Sequence, residues 1–125
     1  MNKPTKKDRN SLPPREQTRG KDPFYNSSLW RTFRAAHKIR QRNKDLLSAR
    51  LIYKDNTKIT LREYNDWINN DSPMCVHCLT KGRIEPAKVL DHIIPRSQGG
   101  ADTMYDNLQW LCTTHHQIKS QSERQ

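Results

Sequence analysis

Asn107-Leu108-Gln109-Trp110-Leu111-Cys112-Thr113-Thr114-His115-His116 closes a segment that opens with Cys75-Val76-His77-Cys78 and carries Asp91-His92 at its middle. Cys75-x-x-Cys78 is a knuckle spacing, in which a tight turn brings two thiolates onto one tetrahedral ion. Cys112-x-x-His115 supplies a second pair. If Cys112 starts a helix, residues three apart share a face, so Cys112 and His115 can chelate together. One Cys-x-x-Cys is a weak signal; two such pairs that use every cysteine of the chain are a strong one. The spacing predicts a Zn2+ held by Cys75, Cys78, Cys112 and His115, with His77 exposed inside the knuckle. Four protein ligands leave no position for substrate, so this zinc is expected to be structural. The competing reading is a redox Cys-x-x-Cys with Cys112 as a buried small residue.

Between the two pairs, Val89-Leu90 reads as the end of a short strand, and Pro95 stops the extended run. Arg96 to Asp102 reads as a loop, with Gly99-Gly100 where a sharp turn is needed. Asn107 to Leu111 reads as a second strand. Thr113 or Thr114 helps start a last helix carrying His115, His116 and Lys119. The expected order is strand, loop, strand, helix, stapled at both ends by zinc.

Asp91-His92-Ile93-Ile94-Pro95, Gly99-Gly100, Asn107-Leu108-Gln109, Leu111-Cys112, His116 and Lys119 together resemble the HNH endonucleases of the ββα-metal (His-Me finger) class. The three residues that name the motif fall on His92, Asn107 and His116, and the resemblance covers about residues 73–120. It implies an α+β fold: a small ββα-metal nuclease core stapled by a structural zinc, preceded by N-terminal helices and a basic disordered arm. It also implies hydrolysis of DNA phosphodiester bonds to 5′-phosphate and 3′-hydroxyl ends. His92 would be the general base, a role that suits an unperturbed pKa of about 6.5. Asp91 and His116 would bind one catalytic divalent cation, Mg2+, Mn2+ or Ni2+, which polarises the scissile phosphate. Asn107 would bridge the ends of the motif and orient His92, and Arg96 would stabilise the phosphate in the transition state.

Two adjacencies stay open. Asp91 and His92 are neighbours, and neighbours on a strand point to opposite faces unless the strand ends or twists there. His115 and His116 lie about 100° apart on a helix. The Cys-x-x-His spacing gives His115 to zinc, but many family members have cysteine there, which leaves a swapped assignment open.

Working outward, the charge is uneven. The chain carries a formal +10; residues 1–50 hold 14 Lys/Arg against 4 Asp/Glu, and residues 51–125 hold 9 of each. The whole excess lies in the first half and points to a polyanion partner, nucleic acid first, or to a solvated tail that only aids solubility; the nuclease resemblance makes the expected partner double-stranded DNA. Residues 1–23, with four prolines, read as a basic disordered arm whose Lys6, Lys7, Arg9, Arg15, Arg19 and Lys21 run along phosphates. Residues 24–72 read as a helical region, 73–120 as the nuclease core and 121–125 as a tail. Ser27 or Ser28 caps a helix whose inner stripe is expected at Leu29, Phe33, Ala36 and Ile39 or Arg40, with Arg31, Arg34 and Lys38 on a basic face and Lys119 joining them from the core. Asn43-Lys44-Asp45 leaves open whether that helix breaks. Trp30 and Phe33 are expected in the core. Thr60-Leu61-Arg62-Glu63 has capping-box spacing, with Leu61, Tyr64 and Ile68 on one helical face.

Phe24 to Arg31 is similar to the lead-in of small phage-type HNH proteins, often encoded beside the DNA-packaging terminase, so terminase is a candidate partner. Only 32% of residues are hydrophobic, a composition for which a small domain often needs a metal or disulfide. Three cysteines suit a mixed zinc site in a reducing compartment. With no run of membrane-spanning length, the expected place is the cytoplasm, that of a bacterial host if the chain is phage-encoded. A monomer or weak dimer is expected. The alternative function is a non-catalytic zinc module that binds DNA, which shares the zinc and the basic arm.

Overall fold

Ser27 starts the first helix: its hydroxyl accepts from Trp30 N at 3.1 Å and donates to Phe24 O at 2.6 Å. Helix α1 spans Ser28–Asp55 without a break. Asn43-Lys44-Asp45 does not interrupt it, because Asp45 faces inward and accepts from Met74 N (2.9 Å) and Gln41 Nε2 (3.0 Å). Burial pushes that carboxyl above its usual range, against those hydrogen bonds.

The inner stripe of α1 runs through Trp30, Phe33, His37 and Ala49, about 100° from the expected one except at Phe33. Leu29 and Ile39 are exposed, as is Ala36. The helix buries polar residues where the pattern looked for aliphatic ones. His37 accepts from Trp110 Nε1 at 3.0 Å and stacks on Tyr105, which supplies the partner a buried imidazole needs.

The computed structural model describes residues 22–124, so Lys6, Lys7, Arg9, Arg15, Arg19 and Lys21 lie outside the described residues. The last two residues of the expected arm have a defined place. Asp22 caps a 3-10 turn, Pro23–Asn26, by accepting from Phe24 N.

Two apolar clusters lie along α1. Toward its C-terminal end, Ala49 packs with Ile59, Trp67, Met74 and Ile84. Trp67 belongs to α2 (Leu61–Ile68), where it is the buried residue, while Leu61 is exposed. Thr60 caps α2 through Glu63 N. The reciprocal half of the capping box is not made: Glu63 turns its carboxylate to Ile84 N at 3.2 Å. Arg42 closes the other end of α2, donating to Trp67 O, Ile68 O and Ser72 O with its guanidinium 4.1 Å from the Trp67 ring centroid. Trp67 O also accepts from Asn70 N, and Ser72 O from Trp67 Nε1.

Toward the N-terminal end, Trp30 packs with Cys75, Cys78, Ala87, Leu90, Leu108, Trp110 and Leu111. Cys75 caps and Cys78 belongs to α3 (Val76–Thr80), Ala87 lies in the segment before the first strand, and the other four belong to a two-stranded antiparallel sheet. Strand β1 (Val89–His92) pairs with β2 (Leu108–Leu111), placing Val89 opposite Leu111 and His92 opposite Leu108. Helix α4 (Thr113–Glu123) follows at once. The expected strand, loop, strand, helix is the observed order. Among the described residues no helix is long and apolar enough to cross a membrane.

Candidate metal centre and active site

Each Cys-x-x pair is built the same way. Cys75 Sγ accepts from Cys78 N and Cys112 Sγ accepts from His115 N, both at 3.4 Å. The sulfurs therefore cap α3 and α4. Thr113 or Thr114 was expected to help start the second of these helices; Cys112, extended and one residue earlier, is its cap. The helical turn then lays the third residue back over the sulfur.

The two pairs meet. Cys75 Sγ, Cys78 Sγ and Cys112 Sγ lie 3.6, 3.3 and 3.2 Å from His115 Nδ1, and Cys78 Sγ lies 3.7 Å from Cys112 Sγ. A tetrahedral zinc, with Zn–S of about 2.3 Å and Zn–N of about 2.0 Å, separates its ligands by roughly 3.5–3.8 Å. The four atoms are a set that can hold a metal ion. Burial first, then the neighbouring thiols, pushes the Cys78 thiol far up; burial also raises Cys112. Burial and then Lys81 lower His115, which favours the neutral imidazole that ligates. His77 is half-buried, its ring edge-on to His115, and stands outside the four.

Asp91 and His92 follow the alternation of the strand. Leu90 and His92 face α1, where His92 stacks on Trp30 with ring centroids 5.3 Å apart. Asp91 faces α4, with Oδ1 3.4 Å from His116 Nε2 and Oδ2 3.0 Å from Lys119 Nζ. Gln109 Nε2 also donates to Oδ2, at 3.3 Å. Asp91, His92 and His116 have no exposed surface. Two ligands of one cation lie about 3.0–3.4 Å apart when each bond is about 2.1 Å, so Asp91 and His116 fit a shared ion.

Lys119 was expected on the DNA-facing surface. Its Nζ bonds Asp91, Glu123 and, at 3.0 Å, His92 O. Arg31 donates to Asn26 O and Arg34 to Lys88 O, and Lys38 pairs with Asp71 at 3.5 Å. Arg31, Arg34 and Lys88, with Tyr25 and Trp30, line a cavity of about 230 Å3 beside β1.

The loop between the strands holds the other predicted residues. Asn107 accepts from Ile94 N at 2.9 Å and donates to Ile94 O (3.1 Å) and Ala101 O (3.0 Å). It ties the two ends of the loop together. Gly99 has φ 86°, and a Cβ on Gly100 would lie 1.7 Å from Ile94 O, so both glycines are needed where the sequence placed a sharp turn. This loop brings Asp102 O to 2.9 Å from His92 Nε2. Arg96 donates to Asp102 Oδ1 (2.7 Å) and Asp22 Oδ2 (2.8 Å), with its guanidinium 3.9 Å from the Phe24 ring centroid. Burial opposes that charge, but Asp102 and Asp22 outweigh it and raise its pKa.

Three contacts were absent from the sequence reading: the Asp102 carbonyl on His92, Gln109 on Asp91, and the Tyr25 hydroxyl 3.2 Å from His92 Nδ1. The only signal for the last was the aromatic pair Phe24-Tyr25.

The site thus brings together a buried Asp–His pair, a neighbouring histidine and a Cys3His group that could hold a metal ion, on a ββα frame. Residues 75–122 match the family model described as HNH endonuclease. The structure is also similar to the crystal structure of the HNH endonuclease of the deep-sea thermophilic bacteriophage GVE2 with manganese ion. The sequences are 24% identical, the TM-score is 0.47, and the match covers 95% of this chain and 89% of that one. No curated protein matches.

Proposed function

We propose that this chain is a metal-dependent DNA endonuclease that hydrolyses phosphodiester bonds, with His92 as its general base. The observation that carries the reading is the 2.9 Å contact of His92 Nε2 with the Asp102 carbonyl. A carbonyl only accepts, so Nε2 facing Asp102 O bears the proton. The lone pair of the neutral ring is then on Nδ1, where it can take a proton from water. Asp91 and His116 would hold one divalent cation, which when bound polarises the scissile phosphate and neutralises charge on the leaving oxygen. Two protein ligands leave positions for water and phosphate oxygens. Arg96 would pair with a phosphate oxygen. Water attacks phosphorus as Nδ1 takes its proton, and the bond to the 3′ oxygen breaks, giving 5′-phosphate and 3′-hydroxyl ends.

Cys75, Cys78, Cys112 and His115 would hold zinc, a structural ion because all four positions come from the protein. The basic arm and Arg31, Arg34 and Lys88 would contact phosphates, which position DNA without reading its sequence. Terminase is the partner that the Phe24 to Arg31 resemblance suggests, and a pull-down without either terminase subunit would remove it.

The test of the cation site uses Mn2+ binding, followed by its paramagnetic signal, beside cleavage of a linear duplex. His116→Ala is expected to weaken Mn2+ binding at least tenfold and to cut cleavage with it, at unchanged zinc content. Wild-type Mn2+ affinity in that variant would remove His116 from the site. A second reading, a DNA-binding zinc module without catalysis, draws on the complete burial of His92, whose two ring nitrogens both have partners.

A further inference from the structure

The Tyr25 hydroxyl lies where the attacking water belongs. With the proton of neutral His92 fixed on Nε2 by Asp102 O, Nδ1 carries the lone pair, and Tyr25 donates into it at 3.2 Å. A base whose lone pair already accepts a hydrogen bond from the protein has no place for the water it must activate. Tyr25 is held there by its neighbours. Its ring is edge-on to Phe24 and Trp30, with centroids 5.2 and 5.3 Å away. The 3-10 turn that carries it is pinned by Asp22, which both caps the turn and pairs with Arg96. Arg96 also covers the Phe24 ring.

We propose that Tyr25 holds the place of the nucleophilic water on His92, and that a phosphodiester displaces it by taking Arg96 from Asp22. This rests on the nuclease reading above and adds a substrate-coupled gate to the same site. The Asp22 carboxylate is 39% exposed, and an ion pair so open to water contributes little. A backbone phosphate offers Arg96 a pair of anionic oxygens that its guanidinium fork can bind in the same bidentate way as a carboxylate. Once Asp22 loses Arg96, the Pro23–Asn26 turn gives up its ion-pair tether to the loop, and Tyr25 can leave Nδ1. The enzyme then acquires its base only with DNA in place. The gate reconciles a base with no exposed surface with hydrolytic chemistry.

The test compares plasmid cleavage by wild type, Tyr25→Phe and Asp22→Asn, each zinc-loaded and with Mn2+. Tyr25→Phe keeps the ring and removes the donor. One neutral hydrogen bond corresponds to about fivefold, so cleavage at sub-saturating DNA is expected to rise by about that factor. Asp22→Asn keeps an oxygen to cap Phe24 N and removes the charge on Arg96; it is expected to lower the DNA concentration for half-maximal rate several-fold. Amide exchange in residues 22–27 of wild type, with duplex in EDTA, is expected to quicken while that of α1 beyond Trp30 does not. Tyr25→Phe cleaving at or below the wild-type rate, with normal zinc content, would overturn the gate and leave the nuclease standing. So would unchanged exchange in residues 22–27 on saturation with duplex. Zinc-loaded, folded wild type that fails to cleave with Mn2+ or any other divalent ion would overturn the nuclease reading and the gate with it.

Discussion

Replacing Asn107 separates the loop's structural tie from the chemistry it supports. The side chain makes three hydrogen bonds, two of them a mutual pair with the backbone of Ile94 and the third to Ala101 O. A neutral hydrogen bond contributes about 1 kcal/mol net. Asn107 is half-buried, so water replaces part of what is lost, and Asn107→Ala is expected to cost about 2 kcal/mol rather than three full bonds. At about 4 °C per kcal/mol for a chain of this size, Tm should fall by about 8 °C. Asn107→Asp should be worse at neutral pH: one oxygen still accepts from Ile94 N, but the other faces the carbonyls of Ile94 and Ala101 where a donor stood. The assay is thermal unfolding at fixed excess zinc, since free ligand shifts the apparent stability. Cleavage should fall in both variants, because the loop carries the Asp102 carbonyl that orients His92. Asn107→Asp as stable and active as wild type would refute the bridging role.

Zinc binding should release protons, because Cys78 and Cys112 enter as thiols with raised pKa values, whereas His115, lowered, is already neutral near pH 7. Calorimetry in two buffers of different ionisation enthalpy reads this, and affinity should fall as pH falls. His37 has a lowered pKa, chiefly from burial, so the unfolded chain binds its proton first; stability should drop as pH falls through about 6.5. His37→Phe should flatten that part of the pH–stability curve, and an unchanged slope would assign it elsewhere. Arg42→Met should lose about 1 kcal/mol in urea unfolding, since Ile68 O loses this donor while Trp67 O keeps Asn70 N and Ser72 O keeps Trp67 Nε1. A loss below about 0.5 kcal/mol would mean water replaces the guanidinium at no cost.

The metal pairs were legible because ligand spacing is a local property. Three residues along a helical turn is the same distance in any fold, and Cys75, Cys78, Cys112 and His115 meet as the spacing required. The glycines at the loop and the strand order were legible for the same reason. The inner face of α1 was not. Its buried positions include His37 and an inward Asp45, whose partners Trp110 and Met74 lie 73 and 29 residues away. Hydropathy along one helix contains nothing about such partners, so the stripe was read through Leu29 and Ile39, which are exposed. Lys119 shows the same gap at the site. Its sequence position suits a phosphate contact, and only the tertiary placement of Asp91 draws it inward. Tyr25 reaches His92 across 67 residues, a contact no motif spacing encodes.

The central claim is that His92 is the base of a metal-dependent nuclease. Its most direct test is supercoiled-plasmid cleavage by wild type and His92→Ala, each folded with zinc content verified, in EDTA, Mg2+, Mn2+ and Ni2+. The account predicts relaxation or linearisation by wild type in at least one divalent ion, none in EDTA, and a loss of at least a hundredfold in His92→Ala. Wild-type cleavage retained in the variant would contradict the assignment of His92, and no cleavage by wild type in any of these ions would contradict the enzyme.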